Sequence, residues 1–295
     1  MEQKTTFEKC LFGDIENISF DLFDVGFIAE KMLILPSIRP FFLDKAVSLC
    51  CEFCKIASFN QVLLEKSLKS PALIYRLFKN GVYRFDEIQP ITMNRNSLTF
   101  CHYFRKEIED FENIIKSKVE PMDYDLTYFG NDNDIDQLIE YGFSPSSIEY
   151  CLKYDDINVF WNIQENKPKK ARWSPFEWSR KPDSLDLLSF SGFFGSIRCF
   201  KQLLLSGFAM NSMVKCQIVC SGSFDLFHLC NEVSLSISDC MCYASEFYQF
   251  SFLLYFLDNG AKINEKNTHM GNFKLIVLLF IVLQDVAILE LLSIL

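Results

Sequence analysis

The feature that most constrains this chain is a recurring frame of two short apolar stretches, each closed by a turn residue. Asp186 to Gly195 reads as one short helix ending in glycine, and Ser196 to Gly207 as a second, closed twelve residues later. Ile218 to Gly222 leads in the same way into Ser223 to Cys230. Asp239 to Tyr248 leads into Gln249 to Gly260, again twelve residues beyond Tyr248. Gly130 to Gly142 repeats the interval. One such helix pair cannot bury its apolar side alone, so the pairs must stack. Small residues at Ser191, Gly192, Ala244 and Ser245 are expected to let the two helices of a pair approach closely. Leu204, Leu254 and Leu257 are expected to bury against the next pair, and Gly207 and Gly260 to take the left-handed conformation that ends the second helix.

Upstream, Ala72 to Gly81 predicts a helix with Leu73, Leu77 and Phe78 on one face and Gly81 at its C-terminal end. Val82 to Ile88 follows, and Pro90 is expected to break the pattern. Ser97 to Val119 predicts one or two more helices, with Phe104, Ile108, Phe111 and Ile115 at helical spacing and Arg105, Glu107, Glu109 and Asp110 turned away. Pro121 ends this block. The expected fold class is therefore all-α. An N-terminal helical domain (1–121) precedes a helix-pair solenoid (122–267) and a hydrophobic C-terminal tail (268–295).

The frame resembles the ankyrin repeat. Asn259-Gly-Ala-Lys-Ile-Asn264 is similar to the ankyrin turn, and Leu185 to Asn211 to a full unit. The usual Thr-Pro-Leu-His opening is replaced by Asp186 to Ser189 and by Asp239 to Cys242, and the frames lie 26 to 27 residues apart, so trimmed hairpin fingers are expected. Asp155 to Phe160, Trp173 to Ser179 and Leu185 to Leu205 further resemble the large ankyrin families of flagellated protists, in which a domain of unknown function precedes the repeats. Ala72 to Ile88 and Tyr103 to Phe111 resemble that N-terminal domain. The resemblance implies a helical fold and a binding role. It supplies no partner and no catalytic residues.

The tail departs from the repeat. Leu275 to Leu283 is apolar over nine residues, too short to cross a bilayer, and extending it to Leu295 brings in Gln284, Asp285 and Glu290. Three readings stand: a core-packed terminal helix, a membrane anchor from Phe273 to Leu295, and a truncated or frame-shifted end. Mid-span acids disfavour the anchor.

The polar start, Met1 to Lys9, has no apolar stretch after it before Asp14, so no secretory signal is expected. With twelve cysteines this places the chain in a reducing compartment, the cytosol first and the nucleus second. The cysteines are scattered, and Cys51 and Cys54 have no second ligand pair at a zinc-site distance, so they read as small buried hydrophobes. A net charge of −9 argues against nucleic-acid binding. The 31 phenylalanines read as core filling.

Other motifs dissolve on inspection. Gly192 to Gly195 lacks the lysine of a phosphate loop. Lys167 to Arg172 reads as a solvated linker, with nuclear import as its alternative. Asn131 to Asp136 lacks the glycine and glutamate of a calcium loop and reads as a turn with an N-cap. Trp173 and Trp178, flanking Pro175, are expected to anchor a connecting loop onto the stack. His102, His228 and His269 form no set with a nucleophile.

No catalytic residue, metal ligand, cofactor or small-molecule ligand is therefore expected. The function expected is a protein–protein interaction module, with an unidentified protein as partner. The resemblance to ankyrin stacks implies a concave binding face made by the inner helices and the preceding turns, which in this frame comprises Phe190, Phe193, Phe194, Tyr243, Glu246 and Phe247; its aromatics would suit a protein partner, since aromatics dominate interface hot spots. The alternatives are a membrane-tethered form and an enzyme with its site in the N-terminal domain.

Overall fold

A computed structural model of the chain describes residues 25–39, 41–92, 98–119, 132–162, 170–178, 185–230 and 237–261. Among these residues the fold is all-helical, without strands; Lys170 and Asp186 form an isolated antiparallel bridge. The tail from 268 onward, with the readings made of it, lies outside the described residues. No described helix is long and apolar enough to cross a membrane. The chain divides into two compact units, the first running to Thr127 and the second from Tyr128.

In the first unit, α1 (Val25–Ile38) packs on α2 (Leu43–Phe53) and α3 (Ala57–Glu65). In turn α2 packs on α4 (Pro71–Lys79), and α4 on α6 (Leu98–Tyr103). Leu73 and Leu77 of α4 are buried, Phe78 is half-buried, and Gly81 closes the helix with φ +74°, as the spacing predicts. Two expectations fail. Helix α5 (Phe85–Thr92) runs through Pro90 instead of stopping before it, with the proline ring exposed. The stretch from Phe104 to Ile108 is not helical. It forms turns between α6 and α7 (Phe111–Val119), where Asp110 adopts φ +56°. Phe104 nevertheless is fully buried, because it is the hub of an aromatic cluster with Tyr75, Phe78, Phe85 and Phe100.

The second unit opens with α8 (Asp132–Tyr141). The acidic stretch read as a turn thus lies inside a helix from Asp132 on; Asn131 is outside the described residues. Four helix pairs follow: α9 (Ile148–Tyr154) with α10 (Ile157–Asn162), α11 (Leu187–Phe194) with α12 (Ile197–Leu205), α13 (Ser212–Ser221) with α14 (Phe224–Leu229), and α15 (Ile237–Glu246) with α16 (Phe250–Asp258). The leading helices pack in series, α9 on α11, α11 on α13 and α13 on α15, and each also packs on its own trailing helix.

One turn geometry serves all four pairs. The chain leaves each leading helix through a residue with positive φ: Asp155, Gly195, Gly222 and Tyr248. A single residue follows, and the trailing helix then starts at once. Ser196 and Gln249 donate their backbone N–H back to Ser191 and Ala244, the six-to-one bond of a Schellman turn, and Asp156 does the same to Cys151. Counted from the turn, the same positions are buried in the last three pairs: Cys199, Phe200 and Leu203; Leu226, Phe227 and Cys230; Phe252, Leu253 and Phe256. Gly207 and Gly260 close their helices with φ +86°, as expected.

The packing roles differ from expectation at two places. Leu254 is 47% exposed, and Leu204 and Leu257 are half-buried; the neighbouring Leu203, Leu253 and Phe256 carry the contact, one position around the helix. Gly192 serves the contact between successive leading helices, not the pair itself. A Cβ there would stand 3.0 Å from Ile218 Cγ1 of α13. Phenylalanine fills the cores, with Phe59, Phe100, Phe160, Phe190, Phe200 and Phe252 among the largest fully buried side chains.

Candidate interaction site on the leading helices

The six predicted residues fall on corresponding positions of α11 and α15, or in the turn that follows α15. Phe190, Phe193, Phe194 and Phe247 are buried, whereas Tyr243 and Glu246 are half-buried. The phenylalanines are covered for a definite reason. The non-helical segment 170–178, between α10 and α11, lies over them. The Trp173 ring packs 4.8 Å from Phe190, 5.8 Å from Phe193 and 6.1 Å from Phe194, and it also touches Phe143. Phe193 in turn meets Phe247 at 5.6 Å, past α13, which carries only Cys220 and Ser221 at the matching positions. Trp173 therefore anchors the connecting loop, as its place beside Pro175 predicts.

The other half of the anchor went unread in the sequence. Lys153 and Glu177 form an ion pair of 2.9 Å with both side chains fully buried. Lys153 Nζ also donates to the Tyr141 carbonyl (3.0 Å), at the C-terminal end of α8 where the helix dipole is negative. Its ammonium sits 3.4 Å from the Trp178 ring centroid, within reach of Tyr154 and Phe143 as well. Burial pulls the Lys153 pKa below its ordinary value, and Glu177 opposes that shift. Gly142 makes room for the pair, since a Cβ there would come within 2.5 Å of Glu177 Oε2. The loop is fixed further by the Arg172 N–H, which donates to Glu149 Oε1 (2.7 Å), and by Ser174 Oγ, which accepts from the Phe176 N–H (3.1 Å). Of the basic cluster, Lys170 and Arg172 are exposed, and residues before Lys170 are outside the described segments.

Beyond the loop the same face reaches solvent. Met213, at the start of α13, is 44% exposed, and the Tyr243 hydroxyl lies 3.9 Å from its sulfur. Burial pushes the Tyr243 pKa to about 12, so this phenol remains a neutral donor.

Several thiols near these helices are held neutral. Cys151 and Cys230 are pushed up to about 11 by burial. Cys199 is raised by burial and then by Asp155, and Cys240 by a hydrogen bond with Cys216 and then by burial. In the first unit, Cys54 is likewise raised to about 11 by burial, 3.9 Å from the Tyr83 hydroxyl. His102, buried edge-on against Phe111, is lowered to about 4 by burial and by Arg105. Such groups suit packing and neutral hydrogen bonding, not nucleophilic attack. Among the described residues, no three His, Cys, Asp or Glu side chains converge as metal ligands.

No family model matches this chain, and neither a curated protein nor a solved structure does.

Proposed function

We propose that the second unit is an ankyrin-like helix-pair solenoid that acts by binding another protein, without catalysis of its own. The observation that carries this reading is the repeated turn. Four helix pairs with one positive-φ junction, three of them with one burial pattern on the trailing helix, stacked through their leading helices, form the kind of repeated scaffold that presents side chains along a face. On that face Met213 and the half-buried Tyr243 and Glu246 are the accessible contacts, a sulfur, a phenol and a carboxylate suited to a mixed protein surface.

The test is retention of a partner by the tagged full chain in lysate from its own source, beside Met213→Glu and a control at exposed Lys201 on α12. A protein retained by the parent and by Lys201→Glu, and lost with Met213→Glu while helicity is unchanged, supports the reading. Equal retention by both variants, or nothing retained by a folded chain, removes it.

A further inference from the structure

The segment 170–178 meets the leading helices as a bound peptide would. Within pairs, the described turns are a positive-φ residue and one cap. This segment instead crosses two leading helices in non-helical conformation and engages them mainly with side chains. Trp173 covers Phe190 and Phe194, Trp178 covers the Lys153 ammonium, and Glu177 pairs with that ammonium. Its backbone adds the Arg172 bond to Glu149 and a bond from the Ala171 N–H to the Leu185 carbonyl (3.3 Å).

Two features make the contact exchangeable. The Trp173 Nε1–H is shielded from solvent and has no hydrogen-bond partner among the described residues. Leaving such a donor unmet costs about 1–3 kcal/mol. The Lys153–Glu177 pair is fully buried, where the loss of hydration largely cancels the attraction. The segment is thus specific in its chemistry but imperfectly satisfied, and a chain that also meets its own indole donor can replace it.

We infer that residues 170–178 are a ligand held in cis on the interaction face, and that the external partner is an extended peptide with an aromatic ring for the Phe190–Phe194 surface and a carboxylate for Lys153. This rests on reading the unit as an interaction module. Binding of the partner opens the segment and uncovers α9 and α11, joining them to the accessible stretch at Met213.

The test is titration of a labelled synthetic peptide of residues 170–178 into the full chain and into a full-length W173A/E177Q/W178A variant. The opened variant is expected to bind one peptide per chain. The parent is expected to bind at least about 10-fold more weakly, because its site is filled in all but a minor population. A peptide carrying the same three substitutions binds neither. Equal binding by both chains, or no binding by a variant that keeps the parent's helicity, overturns the inference. Should the variant lose helicity, hydrogen exchange of the parent decides. Exchange of the Arg172 and Glu177 amides at lower free energy than the Phe190 amide supports a segment that opens by itself, and exchange of all three together overturns it. The probe is the chain's own sequence, so the result is independent of finding a cellular partner. Peptide binding with no partner retained counts against the module reading alone.

Discussion

Lys153 is the residue on which the second unit's packing is most finely balanced. It has a carboxylate, a helix-end carbonyl and an indole face as neighbours and no exposed surface on its side chain. Removing Glu177 alone leaves a charge in the interior, so Glu177→Gln is expected to lose about 3–5 kcal/mol in denaturant melts. Combining it with Lys153→Met should recover most of that loss, since neither charge is then stranded. A double mutant no more stable than the single would show that the pair itself stabilises the fold. His102 gives a second prediction at this scale, with a defined sign. Its folded pKa of about 4 lies below the ordinary 6.5, so the unfolded chain takes up a proton first as pH falls. The contribution is fully present above 6.5 and is lost between 6.5 and about 4, amounting to up to about 3 kcal/mol. Between pH 6.5 and about 4 the parent should lose stability in melts relative to His102→Leu, which has no group to titrate there; a constant difference between the two would overturn the assignment.

At the scale of the element, the junctions tie one pair to the next. Asp155, in left-handed conformation, accepts from the Cys199 N–H (2.8 Å) and the Arg198 N–H (3.1 Å), and so caps α12 from the preceding pair. Ser196, which stands at the cap position itself, instead donates its hydroxyl to the Leu152 carbonyl, and Gln249 donates in the same sense to the Cys220 carbonyl. Asp155→Ala is expected to cost about 1–2 kcal/mol through the lost cap, with added backbone strain. Asp155→Gly, which relieves the strain but not the cap, should fall between the two in thermal melts. These junctions were legible in part. The twelve-residue spacing pointed to Gly195 and Tyr248, the first because left-handed helix ends favour glycine, but Asp155 fills the same role outside that spacing, and only the backbone reveals it. The register of Leu203 against Leu204 was beyond reach, since a leucine run satisfies helical spacing in two phases. The loop from Lys170 to Trp178 was legible through its tryptophans. Its ionic anchor was not: in a linear sequence Lys153 resembles any surface lysine, and its partner lies 24 residues away.

For the whole molecule, two units with separate cores imply more than one unfolding step. Leu77→Ala in the first unit and Leu188→Ala in the second each remove a fully buried side chain and are expected to cost about 2–5 kcal/mol. Calorimetry should show each substitution lowering a different transition. A single transition moved by both would mean that the units unfold together. Within the second unit the leading helices touch chiefly their neighbours in series, so destabilisation at Leu188 should spread outward along the stack and weaken with distance, as hydrogen exchange would resolve.

The buried thiols give this stack an internal clock. Cys151, Cys199, Cys220, Cys230 and Cys242 are distributed through successive pairs, each hidden from solvent. A sulfur must come into water before it can ionise and be alkylated, so each label records the first opening of its own pair. Read by mass in the order they appear, the modified cysteines would chart, without any added probe, the sequence in which the chain loosens.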